Sequence, residues 1–160
     1  VSLIFTALIR TLIGLVPAIL LTSPLFGVSI LKLGLPLLLL FLSLYIFGIT
    51  LGLFVSAGLM RFGPSFENIA WSSLFLLAPL GCIYYPIEIL PYIFQVIAKL
   101  LPLVYIFDET RNILLNGFVN YENLKQAYLL NLIYLAGGIS LFHFSFLRAR
   151  IKGTLINMGE

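Results

Sequence analysis

Long apolar runs alternate along the chain with short breaks that carry proline, glycine or charge. About 20 helical residues cross a hydrocarbon core of about 30 Å, and four stretches reach that length. LIFTALIRTLIGLVPAILLT, from Leu3 to Thr22, stops at the breaker pair Ser23 and Pro24. LPLLLLFLSLYIFGITLGLFVSAGLM, from Leu35 to Met60, is closed by Arg61 and a turn at Gly63 and Pro64. FENIAWSSLFLLAPLGCIYY runs from Phe66 to Tyr85 and stops at Pro86. LKQAYLLNLIYLAGGISLFHFSFL runs from Leu124 to Leu147 and ends in Arg148, Arg150 and Lys152.

The segment between the third and fourth runs, PIEILPYIFQVIAKLLPLVYIFDETRNILLNGFVNYEN, has a different pattern. Pro86, Pro91 and Pro102 cut it into pieces of roughly ten residues, too short to cross a bilayer but suited to re-entrant or interfacial helices. The expectation is therefore an all-α integral membrane protein with four transmembrane helices and a re-entrant pair of short helices, about 86–117, before the last span. A fifth crossing is the alternative if the prolines only kink a continuous helix.

Charge placement favours re-entry. With four spans, Arg61 falls on the same face as Arg148, Arg150 and Lys152, which the positive-inside rule makes cytoplasmic. With five, these cations divide between the two faces. Lys32, Lys99, Arg111 and Lys125 lie outside in the four-span topology and count against it. Arg10 can extend its guanidinium to the interface from the start of the first helix, which puts both ends of the chain on the cytoplasmic side.

Composition agrees with a lipid solvent. The chain is 61% apolar and 9% charged, with a mean hydropathy of +1.14, whereas soluble proteins are roughly 45–50% apolar and about 25% charged. The net charge of +3 comes from scattered residues, which argues against a nucleic-acid partner. Cys82 and His143 are the only residues of their kinds, so no intrachain disulfide forms and no cysteine-based metal site can be built. The chain starts at Val1 and is apolar by Leu3, without a basic leader and cleavage site. It reads as a single transmembrane domain, 1–160, cut from a longer membrane protein.

Several positions stand out chemically. Gly48, Gly52 and Ser56 recur every fourth residue, as in G-x-x-x-G helix packing. Glu88, between two prolines, is either a proton or ion site, as intramembrane carboxylates commonly are, or a headgroup-level residue near the start of a short helix. Asp108, Glu109 and Arg111 form either a gate or substrate contact at the outer face, with Asp108 and Arg111 paired as i, i+3 neighbours, or a solvated helix end. Tyr84, Tyr85, Tyr92, Tyr105, Tyr121 and Trp71 cluster near element ends, where aromatic belts form. The chain contains no G-x-x-x-x-G-K motif, H-E-x-x-H or G-x-S-x-G, so any energy source belongs to a partner or an ion gradient.

The block LAPLGCIYYPIEILPYIFQVIAKLLPLVYIFDETRNILLNG, from Leu77 to Gly117, resembles the C-terminal signature of type-2 ATP-binding-cassette (ABC) transporter permeases. The matching features are Gly81 in a small-residue and aromatic stretch, Pro86, Pro91, a short amphipathic helix, Pro102 with Tyr105, and Arg111. Leu101 departs from the asparagine common in that family, and Cys82 departs within the small-residue stretch. The resemblance implies the third to sixth spans of a six-helix permease, with the first two spans and the coupling helix missing. It makes Pro86, Glu88, Pro91, Pro102, Tyr105 and Arg111 candidates for an outer gate or translocation path.

It further implies ATP-driven export across a bacterial or archaeal plasma membrane by two permease subunits, as a homodimer or heterodimer. Cytosolic ABC ATPase subunits carry the ATP and magnesium, and this chain holds no cofactor. An ion-coupled secondary transporter or channel, or a non-transporting membrane assembly subunit, are the competing readings.

Overall fold

A computed structural model describes the backbone of residues 2–26 and 34–151. Lys32 and Lys152, used above to argue orientation, lie outside the described residues. The described residues form helices joined by turns, with no strand among them: α1 (Ser2–Phe26), α2 (Gly34–Phe62), α3 (Phe66–Leu80), α4 (Tyr92–Ala98), α5 (Pro102–Asn116) and α6 (Tyr121–Ile151). A single 3₁₀ turn, Ile87–Ile89, precedes α4. The chain divides into two compact units, Val1–Phe41 and Leu42–Glu160.

In the first unit, α1 does not stop at Ser23 and Pro24 as expected but continues to Phe26. A proline removes one backbone donor, and an apolar helix tolerates that loss where the neighbouring turns retain their bonds.

The second unit begins within α2. Among the described residues two helices, α2 with 29 residues and α6 with 31, are long and apolar enough to cross a membrane. Both extend past the apolar runs that predicted them, α6 by starting at Tyr121 and ending at Ile151. The third run is not a full-length helix. Its regular part, α3, has 15 residues, about 22 Å at the α-helical rise, and Gly81 to Tyr85 form a turn instead. Pro79 inside the last turn removes a donor, and Gly81 and Cys82 return to the carbonyls of Leu77 and Pro79 at 2.7 and 3.2 Å, which closes the helix early.

Contacts within this unit fix the helix directions. Ser43 meets Asn131, Phe47 meets Tyr134 edge-on with ring centroids 6.5 Å apart, and Gly138 lies against Thr50 and Leu53. Both chains advance together along this seam, so α2 and α6 are parallel. α3 runs the other way: Phe66, in its first turn, fills the space beside Gly58, where a Cβ would collide with its ring, while Leu77 and Ala78 lie beside Phe47 and Gly48. Gly63, at φ +77°, makes the reversal between α2 and α3 by donating its N–H to Leu59 at 2.8 Å; only glycine enters that region without steric cost.

Gly48, Gly52 and Ser56 are expected to admit a close helix neighbour, in this chain or another; among the described residues a Cβ on Gly48 or Gly52 would meet nothing within 4 Å, so this face is separate from the α2–α6 seam. The contact face is Ser43, Phe47 and Thr50, which at about 100° per residue lies roughly 170° from the glycine face, on the opposite side of the helix. Ser43 and Thr50 are fully buried. On the α6 side of the seam Gly138 faces α2, where an added Cβ would lie 3.4 Å from the Leu53 Cβ.

Candidate functional site

The short elements between α3 and α6 form a knot at one end of the second unit. Cys82, Ala98 and Val104 make its buried centre, and Tyr85, Ile87, Leu90 and Leu101 pack around them. Small side chains at Cys82 and Ala98 let the turn after α3 and the end of α4 approach α5. Gly81 is tighter still: a Cβ there would come within 2.9 Å of the Leu103 Cδ1 and 2.8 Å of the Leu77 carbonyl. Cys82 has φ +53°, the left-handed conformation that costs a non-glycine residue of order 1 kcal/mol or more.

Arg111 holds that turn in place. Its Nη2 donates to the Cys82 carbonyl at 2.7 Å, which joins α5 to the end of α3. The other guanidinium donors, Nε and Nη1, are buried without a hydrogen-bond partner among the described residues. The predicted Asp108–Arg111 pair does not form: Arg111 reaches back to Cys82, while Asp108 Oδ2 accepts from Asn123 at 3.4 Å. The i, i+3 spacing placed the two side chains on neighbouring faces, but each has a better partner outside its own helix.

Tyrosine hydroxyls and an amide close the remaining carbonyls. Tyr85 donates to Pro79 at 2.9 Å, Gln95 to Leu90 at 2.8 Å and Tyr105 to Lys99 at 3.0 Å. Helix ends leave backbone groups unpaired, and these bonds satisfy acceptors where the chain turns sharply. Pro91 precedes α4 as its N-cap, and Pro102 is buried at the first position of α5, where a missing N–H costs nothing.

The candidate gate residues thus separate into two sets. Pro86, Glu88 and Pro91 are exposed on the connection between α3 and α4. Pro102, Tyr105 and Arg111 belong to α5 and bind it to its surroundings. α4 itself is apolar nearly all round, with Tyr92, Ile93, Phe94, Val96 and Ile97 exposed and Ala98 buried.

Glu109 is the residue whose position the sequence did not reveal. It is fully buried. Its Oε1 accepts the Asn120 N–H at 2.6 Å, and Oε2 accepts from the Asn123 side chain at 3.2 Å. Asn120 in turn accepts the Glu122 N–H at 3.0 Å. A carboxylate at a helix N-terminus meets unpaired donors and the positive end of the dipole, so Glu109 fixes the start of α6 against α5. Gly117, at φ +75°, closes α5 by donating to Ile113 at 3.0 Å. The α5 burial pattern of Leu103, Ile106, Glu109 and Ile113 follows one helical face. A glutamate on an otherwise apolar stripe was the available signal.

Asn131 was missed in the same way. Its amide donates to the Ser43 carbonyl and hydroxyl at 2.9 and 2.8 Å, while its Oδ1 is buried without a partner among the described residues. One asparagine in the apolar run LLNLIYL was legible as an interhelical contact, because polar side chains in apolar helices face other helices.

An apolar hollow of about 270 Å³ lies between α2, α3 and the knot, bounded by Phe47, Gly48, Leu51, Leu77, Ile83 and Leu103. Among the described residues, no group of three or more His, Cys, Asp or Glu could hold a metal ion.

Among the described residues the structure is all-helical, with two helices able by length and composition to cross a membrane and a hydrogen-bonded knot of short helices at one end of the second unit. Comparison with known protein families, with curated proteins and with solved structures returns no match for the chain.

Proposed function

We propose that the chain is a membrane-spanning permease subunit of an ABC exporter and supplies the translocation path and its outer gate. The observation that carries this reading is the pair α4 and α5 folded back between α3 and α6. Arg111 and Tyr105 of the resembling signature are both used to hold that pair. In this reading α1 and α3 cross as well, α3 being completed by the turn to Tyr85, and the reversal from Pro86 to Gly117 sits in the outer leaflet. The exposed apolar side chains of α4 suit a helix that dips into lipid.

Orientation follows from the far end of the same unit, where Arg61 and Arg148 border one cleft. Two cations at one end favour the cytoplasmic side. The open face at Gly48 and Gly52 suits a second permease subunit, since small residues admit close backbone approach. ATP hydrolysis belongs to a separate cytosolic ATPase, whose cycle biases the permease between arrangements that it binds differently.

The experiment is co-purification of the full-length protein with a nucleotide-binding subunit, followed by transport in vesicles with and without ATP. ATP-dependent efflux is expected. Transport driven by a proton or sodium gradient and indifferent to ATP would replace this reading with the ion-coupled one. Cysteines at Gln95 and Arg148 test the topology: they are expected to label from opposite sides, and labelling from one side would refute re-entry.

A further inference from the structure

At the end of the second unit away from the knot, α2 and α6 finish side by side with arginine in the last turn of each. Arg61 and Arg148 line a cleft of about 320 Å³ with Phe62, Phe144 and Ser145. Each guanidinium is laid on a ring: the Arg148 Cζ is 4.1 Å from the Phe144 centroid, and the Arg61 Cζ is 5.4 Å from that of Phe62. Stacking occupies the face of a guanidinium and leaves its in-plane N–H groups available, in a fork that matches phosphate oxygens.

Among the described residues, no carboxylate lines this cleft and neither arginine is ion-paired. The two helix C-termini contribute about half a negative charge each, which offsets only about half of the two cations. The cleft therefore keeps a net positive field, focused by apolar walls. Those walls continue outward: Phe62, Phe144 and Leu147 are exposed beside the arginines.

We propose that this cleft binds the phosphate headgroup of an anionic membrane lipid. Arg61 and Arg148 donate to the phosphate oxygens, the Ser145 hydroxyl adds a neutral donor, and the exposed Phe62, Phe144 and Leu147 lie along the glycerol and upper acyl chain. A lipid is favoured over a free anion because the cations stand at the ends of two helices of membrane-crossing length, with apolar surface directly adjoining. The proposal rests on α2 and α6 lying in a membrane, and it is independent of the exporter reading.

The test reconstitutes the purified full-length chain in phosphatidylcholine nanodiscs with a minor fraction of phosphatidylglycerol. Lipids retained after transfer to detergent are counted by native mass spectrometry. Phosphatidylglycerol is expected to be enriched over phosphatidylcholine, and Arg61→Gln and Arg148→Gln are each expected to reduce the enrichment about fivefold. Lys99→Gln, in the knot at the other end, is expected to leave it unchanged. Circular dichroism checks that each variant is folded; the Arg61→Lys, Arg148→Lys pair, which keeps charge but loses the planar fork, is expected to keep part of the preference.

Absence of enrichment, or an equal loss in Lys99→Gln, would overturn the proposal. Displacement of bound phosphatidylglycerol by millimolar inorganic phosphate would overturn it in favour of a soluble phosphate ligand. Failure of the chain to enter phosphatidylcholine nanodiscs would remove the membrane placement itself, whereas entry without enrichment sinks this inference alone.

Discussion

Arg111 donates to the carbonyl of Cys82, a residue 29 positions earlier, across 2.7 Å. That bond ties the middle of α5 to the turn that ends α3, where Cys82 is held at φ +53°. Hydrogen bonds from charged groups are worth about 1.5–3 kcal/mol, enough to offset the cost of that backbone conformation. Arg111→Met is therefore expected to destabilise the knot by about 2 kcal/mol, read as a lower thermal midpoint in detergent. Arg111→Lys is expected to recover little, because an ammonium on a flexible stem does not reproduce the fork.

The close approach of Gly81 to Leu103 gives a sharper test of packing. Gly81→Ala places a methyl within 2.9 Å of the Leu103 side chain, and overpacking of this kind costs about 1–3 kcal/mol. Leu103→Ala alone also destabilises, but the double variant is expected to lose less than the sum of the two. A double-mutant cycle by thermal unfolding measures that coupling, and strict additivity would contradict the contact.

The α2–α6 seam predicts proximity directly. With Cys82 replaced by serine, cysteines introduced at Ser43 and Asn131 are expected to cross-link within one chain under mild oxidation, whereas cysteines at Gly48 and Asn131 are not. Asn131→Ala removes the two donors to Ser43 and is expected to cost about 0.6–2 kcal/mol, measured by unfolding in detergent.

The glycine face makes the opposite prediction. A Cβ added at Gly48 or Gly52 meets nothing within 4 Å among the described residues, so Gly48→Ala and Gly52→Ala are expected to change monomer stability by no more than about 0.5 kcal/mol. If a second permease subunit docks there, the same variants shift the protein toward monomer on size-exclusion chromatography with light scattering. Loss of fold in these variants would show that the face is not free.

Glu109 links two elements through one side chain. Glu109→Gln retains acceptor capacity at one atom only, and leaves the Asn120 N–H or the Asn123 amide without its charged partner. Amide hydrogen exchange is expected to quicken at the first turn of α6 and remain unchanged at the Arg61 end, about 45 Å away along a helix of 31 residues.

Much of this architecture was legible in the hydrophobic pattern. The long helices appear because runs such as PLLLLFLSLYIF leave no polar alternative to internally bonded backbone, and the breaks at Pro86, Pro91 and Pro102 appear because proline fixes φ and removes a donor. The amphipathic stripe of α5 could likewise be read from its spacing. The end of α3 could not: Leu77 to Tyr85 remains apolar through the point where the helix stops, and hydropathy carries no information about the carbonyls that Gly81, Cys82 and Tyr85 satisfy. Sequence spacing favours partners on the same helix, whereas Arg111 bonds to Cys82 and Asp108 to Asn123, both outside α5.

By itself, then, the sequence determined that this protein is helical, that its helices suit an apolar solvent, and that a proline-broken segment interrupts them before the last. These properties follow from local composition and from the backbone's need to pair its own donors and acceptors. The tertiary structure alone decided which face of α2 meets α6, that Glu109 and Asn131 are buried, and that Arg111 closes on Cys82. Each of these depends on contacts between residues on different elements, and those contacts exist only when the elements are brought together.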